Sequence, residues 1–451
     1  MELFKTPENY FFSNKALFYL FIPLLIEQTL EFFVGLADSI MVASLGEVAI
    51  SGVSLVDFLM QLLIFSFSAL ATGGAVIAGQ YLGDKKPDHA RNASTQLVWF
   101  SAVSSLIFMI IILLAKSALI SILFGQIETD VWNNANSYLM IVGLSIPFIA
   151  IYNAGAAIFR TTNDASLPMK IMMTCDILNV IGNAICIYYL GWDVRGVAIP
   201  TVISRLLAAI IITYYLLDEN YTLHIKKTLK HKFDWTILKN VLNVGIPFGI
   251  ENGLFQLGRI LVLSLVSTFG TVAIAANSVG YAIGIFSVLP GFAMNLGLTA
   301  VISRCVGAND YEQAKYYNKK VIFMVFISHI IINIIIFTLL PTILDVYQLS
   351  SKTAEMTTEM VIWHGIFAII IWPLAFTLPS TFRGAGDSKS VMYISLFVMF
   401  TCRIALAYVI ADWWGVGVFG TWIAMFIDWY VRAAIYLYRY FSGKWMEYRA
   451  I

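Results

Sequence analysis

Twelve apolar stretches, each about as long as a bilayer is thick, constrain this chain more than any other feature of its sequence. A hydrocarbon core about 30 Å across takes roughly 20 residues of helix to span. Runs of that length are centred near residues 30, 66, 108, 148, 180, 207, 252, 289, 331, 369, 401 and 428. Only 12% of the residues are charged, where a soluble domain carries about 25%, and the mean hydropathy is +0.81. The first run is too long for a cleavable signal and contains Pro23, Glu27, Glu31 and Asp38. The pattern predicts an all-α integral membrane protein with 12 transmembrane helices.

Charge then orients the chain. Twenty-one Lys and Arg residues, from Lys5 through the linker pair Lys226 and Lys230 to Arg449, fall on the side that holds both termini. Only Lys116, Arg195 and Lys352 fall on the other, so the positive-inside rule puts both termini in the cytoplasm of a plasma-membrane protein. Residues 218–240 form the one long loop, a basic cytoplasmic linker suited to anionic membrane lipids, between lobes 1–217 and 241–451. The net charge of +1 supplies no field for nucleic acid, so no nucleic-acid partner is expected. Four cysteines without a CxxC exclude a disulfide scaffold. No histidine pair among His89, His224, His231, His329 and His364 has metal-ligand spacing on a helix. P-loop, HExxH and GxSxG motifs are absent, so an enzyme is not expected, and neither is ATP-driven transport by this chain alone.

The halves repeat one another. At a shift of 224 residues, Pro23–Arg91 aligns without a gap to the second half, with 14 of 69 positions identical. Among them are Pro23/Pro247, Glu27/Glu251, Gly46/Gly270, Ser54/Ser278, Gly73/Gly297 and Gly83/Gly307. Arg160 and Asp164 reappear as Arg383 and Asp387 at a shift of 223, and Gly196 as Gly420 at 224. An even number of helices per unit gives both units the same topology, so an axis along the membrane normal should relate two pseudo-symmetric six-helix bundles. That is the architecture of an alternating-access carrier.

Asp38-Ser-Ile-Met-Val-Ala, Ala78–Lys86 (AGQYLGDKK), Phe159–Asp164 (FRTTND), Asn179/Asn183 and Phe382–Lys389 (FRGAGDSK) occur in order along the chain. Together they resemble the multidrug and toxic compound extrusion (MATE) transporters of the MOP superfamily. The resemblance implies a V-shaped twelve-helix exporter that takes H⁺ or Na⁺ inward and moves small organic, usually cationic compounds outward. It also implies a first-lobe cation site at Asp38, Asn179, Asn183 and Thr201, which could hold Na⁺ at Asp38, Asn179 and Asn183. Some members carry Asp where this chain has Asn183, so either coupling ion remains open.

Seven carboxylates fall within spans: Glu27, Glu31, Asp38, Asp57, Asp176, Glu251 and Asp428. Each charged form costs roughly 2.5–3.5 kcal/mol at a helix centre on insertion scales, so each needs a partner, water or a proton. Glu27, Glu31 and Asp38, at i, i+4 and i+11, lie within about 40° of one another along roughly 16 Å of helix. Lipid would not tolerate such a stripe, so it should face the bundle interior, where crowded acids suit a proton carrier and hard oxygens suit Na⁺. Asp176, Asn179 and Asn183, at i, i+3 and i+7, form a second oxygen-rich stripe. The second half is not a chemical copy: Val262 stands for Asp38, Arg259 for Gly35, and Phe255 where one branch of the family carries a coupling Glu. Glu251, Arg259 and Arg403 form a candidate second-lobe polar site, with the arginines pairing with Glu251 or facing the cavity. Arg160/Asp164 and Arg383/Asp387 are expected to form ion pairs or caps at helix ends, and Asp428/Arg432 an intrahelical bridge.

The favoured function is a secondary antiporter acting as a monomer, with no cofactor beyond its coupling ion. The alternative is a flippase or exporter of a lipid-linked or anionic substrate, prompted by Arg259 and Arg403.

Overall fold

The computed structural model describes residues 6–7, 9–124, 128–227 and 232–451, and of residues 122–124 only the backbone. Lys5, Lys230 and His231 lie outside the described residues. Eleven described helices are long and apolar enough to cross a membrane, and one bent pair makes a twelfth. They are α1 (Asn14–Ala43), α2 (Glu47–Gly83), α3 (Pro87–Ser121), α4 (Thr129–Thr161), α5 (Ser166–Tyr189) and α6 (Arg195–Leu216). The second half supplies α7 (Trp235–Ser267), α8 (Thr271–Gly307), α9 (Tyr311–Tyr347), α10 (Ser351–Ile370 with Pro373–Ala385), α11 (Ser388–Trp413) and α12 (Val418–Phe441). Each of the twelve apolar runs lies on one of these helices, and no strand occurs among the described residues.

Local chemistry explains where the helices start and break. Gly46 and Gly270 precede α2 and α8 with φ of +103° and +90°, a region that disfavours any Cβ, which accounts for one of the repeated glycines. α10 bends by 61° between Ile370 and Pro373. Proline lacks the N–H that would continue the ladder, and a π-helical turn at Pro373–Thr377 follows. Pro23, Pro247 and Pro290 sit inside continuous helices. Further π-helical turns occupy Ile185–Tyr189 in α5, and Met399–Ala405 and Tyr408–Trp413 in α11.

Packing divides the chain into two units, Lys15–Gly249 and Ile250–Ala450, the latter joined by Met1–Asn14. In the first unit the opening turns of α7 lie directly against α2. A Cβ on Gly73 would stand 2.7 Å from the Gly245 nitrogen and 2.8 Å from the Val241 oxygen, so the two backbones meet. In lipid, close approach of small residues replaces the hydrophobic effect as a source of helix association. In the second unit the segment before α1 docks on α9: Phe12 N donates to Tyr317 Oη at 2.8 Å, and Tyr317 Oη donates to the Phe12 oxygen at 2.9 Å.

Candidate functional site

The first unit assembles a polar junction where α1, α5 and α6 meet. Asn179 and Asn183 are one helical turn apart on α5, so their side chains share a face. Asn183 Nδ2 donates to Asp38 Oδ1 at 2.8 Å and to Asn179 Oδ1 at 3.3 Å. Asn179 Nδ2 donates to Thr201 Oγ1 at 3.1 Å, and Thr201 donates onward to the Val197 carbonyl at 2.8 Å. Both asparagines are buried and Asp38 is half-buried. Asn183 Oδ1 is buried with no hydrogen-bond partner among the described residues, an expense of about 1–3 kcal/mol unless something else binds it. The four side chains that the sequence reading grouped are therefore joined in one chain of hydrogen bonds. Their oxygens are a carboxylate, two amides and a hydroxyl, the hard donor set that suits Na⁺ and that a protonated carboxyl can also use. Just beyond Asn183, α5 widens into its π-helical turn, a feature that often accompanies functional positions.

The remaining acids of α1 do not share one environment, despite their common stripe. Glu27 is buried and ion-paired with Arg160 at 3.0 Å, while its second oxygen has no hydrogen-bond partner among the described residues. Glu31 is exposed, and accepts from Gln28 one turn away at 3.0 Å. Asp176 is half-buried on α5 and lines a pocket against α1 with Leu30, Val34, Met173, Ile177, Val180 and Ile181. It lies within electrostatic reach of Glu31, Asp38 and Glu27, outside the hydrogen-bonded chain. Asp57 accepts from Tyr138 Oη at 3.2 Å. Arg205 donates to Ser145 Oγ at 2.8 Å and reaches Asp57 and Asp38 only through space.

The second unit pairs its charges differently from expectation. Glu251 is held by Arg383, whose Nη2 lies 2.8 Å from both carboxylate oxygens, and accepts from Ser395 Oγ at 2.6 Å. Neither Arg259 nor Arg403 is its partner. Arg259 donates to Gln256 Oε1 at 2.8 Å and lies over the Tyr281 ring at 4.4 Å. Arg403 faces Asp428 at 3.8 Å, and Asp428 bridges to Arg432 at 2.9 Å as the i,i+4 spacing predicted. Ser395 joins these pairs, since it also accepts from Arg432. The ion pairs and caps expected at Arg160/Asp164 and Arg383/Asp387 do form, but with partners outside each pair. Asp164 accepts from the Leu167 N–H at 3.2 Å, as a helix-start acid does, and Asp387 is bound by Arg439. Glu27–Arg160 and Glu251–Arg383 are thus one ion pair built twice. The signal was present in the sequence, because both members of each pair recur at shifts of 224 and 223.

Known proteins match this organisation. Residues 23–185 and 247–409 each match the MatE family model, and the two matches are offset by the same 224 residues as the internal repeat. The chain is 26% identical over 446 residues to a probable multidrug resistance protein NorM of Thermotoga maritima, covering 97% of this chain and 94% of that protein. It is 26% identical over 462 residues to the transporter YisQ of Bacillus subtilis, covering 98% and 97%. A crystal structure of MATE in complex with MaD3S superposes with a TM-score of 0.90 at 20% identity, covering 99% of this chain and 98% of that one. With both halves matched and the helical fold shared end to end, the chain belongs to the MatE family of multi-pass membrane transporters.

Proposed function

We propose that this protein is a multidrug efflux antiporter of the cytoplasmic membrane, with both termini in the cytoplasm. It exports organic, mostly cationic or amphipathic compounds in exchange for H⁺ or Na⁺ by alternating access. The observation that carries this reading is the Asp38–Asn183–Asn179–Thr201 chain with its unpartnered Asn183 oxygen. The naming of relatives such as the Thermotoga NorM for multidrug resistance supports the substrate class.

Asp38 is the group that binds and releases the ion. While it is ionised, the Asn183 amide donates to it. When a proton or Na⁺ arrives, the amide oxygen can turn to meet it, so one side chain serves both states. Asn179 and Thr201 hold Asn183 in register, and Asp176 and Glu31 add negative potential around the entering cation, while the charge of Glu27 is balanced by Arg160. Ion binding that favours one conformation over the other, and substrate that favours the opposite, gives exchange through a single equilibrium. The test is transport of a fluorescent organic cation by the purified protein in proteoliposomes, with a Na⁺ gradient and a pH gradient imposed separately. Transport driven by one gradient names the coupling ion. Absence of transport under both, in folded protein, refutes the proposal.

A further inference from the structure

The two units build the same three-helix junction from different chemistry. At the 224-residue shift, Asp38 corresponds to Val262, Asn183 to Ala407 and Thr201 to Met425. Val262 packs on a buried apolar cluster that includes Ala407, Leu265 and Ala424, so a dry contact replaces the hydrogen bond between Asp38 and Asn183. Asn179 corresponds to Arg403 at that shift, and to the adjacent Cys402 at the shift of 223 that holds at the start of α11. The shift is 223 at Arg160/Arg383 and 224 at Gly191/Gly415, so the stretch that contains α11 is one residue longer than the stretch that contains α5. The π-helical turn Met399–Ala405 has no counterpart in α5 and absorbs that residue, and Arg403 sits on it. Its buried guanidinium reaches α12 through Asp428 Oδ2 at 3.8 Å and α7 through the Phe255 ring at 5.0 Å. These helices correspond to the α6 and α1 that the first junction joins. Asp428 Oδ1 is taken by Arg432, whereas Asp428 Oδ2 is buried with no hydrogen-bond partner among the described residues, so Arg403 is the cation it faces.

We propose that Arg403 is a tethered cation: it occupies the second unit's copy of the ion junction, which thereby carries permanently a positive charge that the first junction acquires only when its ion binds. The inference rests on the antiport reading above and deepens it, because it confines ion exchange to the Asp38 junction. The charge balance agrees. Around Asp428 and Glu251 stand three cations, Arg383, Arg403 and Arg432, against two acids. The first unit sets five acids at membrane depth, Glu27, Glu31, Asp38, Asp57 and Asp176, against Arg160 and Arg205.

The experiment is gradient-driven transport in proteoliposomes by the full chain carrying Arg403→Lys, Arg403→Met or Arg403→Ala, with Asp38→Asn in parallel. Arg403→Lys keeps a cation and is expected to transport at the wild-type ion-to-substrate ratio, whereas Arg403→Met is expected to lose coupled transport. Arg403→Ala is expected to regain it with added guanidinium but not with urea, which has nearly the same shape and no charge. Wild-type coupling by Arg403→Met, or equal rescue of Arg403→Ala by urea, overturns the inference, since only volume would then matter. If the alanine variant does not fold, the Lys and Met pair decides. A wild type that couples through Asp38 while Arg403→Met behaves like Arg403→Lys refutes this inference alone. A wild type driven by neither gradient refutes the antiport reading and this inference with it.

Discussion

Removing Arg160 should harm this protein more than removing its repeat partner Arg383. Glu27 and Arg160 are 3.0 Å apart, with 6% and 14% of their side chains exposed. At an effective dielectric of about 20, Coulomb attraction at that distance is roughly 5.5 kcal/mol. Arg160→Met leaves Glu27 buried with one oxygen already unpartnered and the other newly so, which should cost about 3–5 kcal/mol. Arg383→Met leaves Glu251 its bond from Ser395 at 2.6 Å, with Arg432 bound to the same serine. Retaining a hydrogen bond to a charged group should spare about 1.5–3 kcal/mol of that loss. Unfolding of the purified variants in mixed SDS micelles measures both costs. If the two substitutions cost the same, or Arg160→Met costs less than about 1 kcal/mol, the reasoning from residual partners is wrong.

Two further substitutions probe the ion junction and the helix packing. Thr201→Val removes the hydroxyl that accepts from Asn179 at 3.1 Å, and should weaken apparent ion affinity roughly fivefold, equivalent to about 1 kcal/mol, read from the ion dependence of transport. Gly73→Ala would place a Cβ 2.7 Å from backbone nitrogen and should destabilise by about 1–3 kcal/mol, whereas Gly35→Ala, with nothing within 4 Å, should leave micelle unfolding unchanged.

Much of this could be read from the chain itself, for physical reasons. Span length follows from bilayer thickness, so all twelve helices lie where hydropathy put them. Helical periodicity put Asn179 and Asn183 on one face, and they do share a hydrogen bond. Periodicity along one helix says nothing of what stands opposite, and there the reading fell short. Glu27, Glu31 and Asp38 share a stripe, yet one is buried against Arg160, one exposed and one bound to Asn183. The partner of Glu27 is 133 residues away in the chain, and the partner of Glu251 is 132 away. Such pairs depend on which helices pack together. The π-helical turn under Arg403 left a trace in the sequence, the change of shift from 223 to 224, but that change shows only that a residue is added and not which turn of the helix takes it up.

The central claim is that Asp38 carries the coupling ion, and Asp38→Asn tests it most directly. The amide keeps the size of the side chain and can still bond Asn183, but it can neither release a proton nor balance the charge of Na⁺. In proteoliposomes, with the driving gradient imposed, the account predicts that Asp38→Asn abolishes uphill movement of the organic cation while the protein stays folded. Uphill transport by Asp38→Asn at the wild-type rate under the same gradient would contradict it.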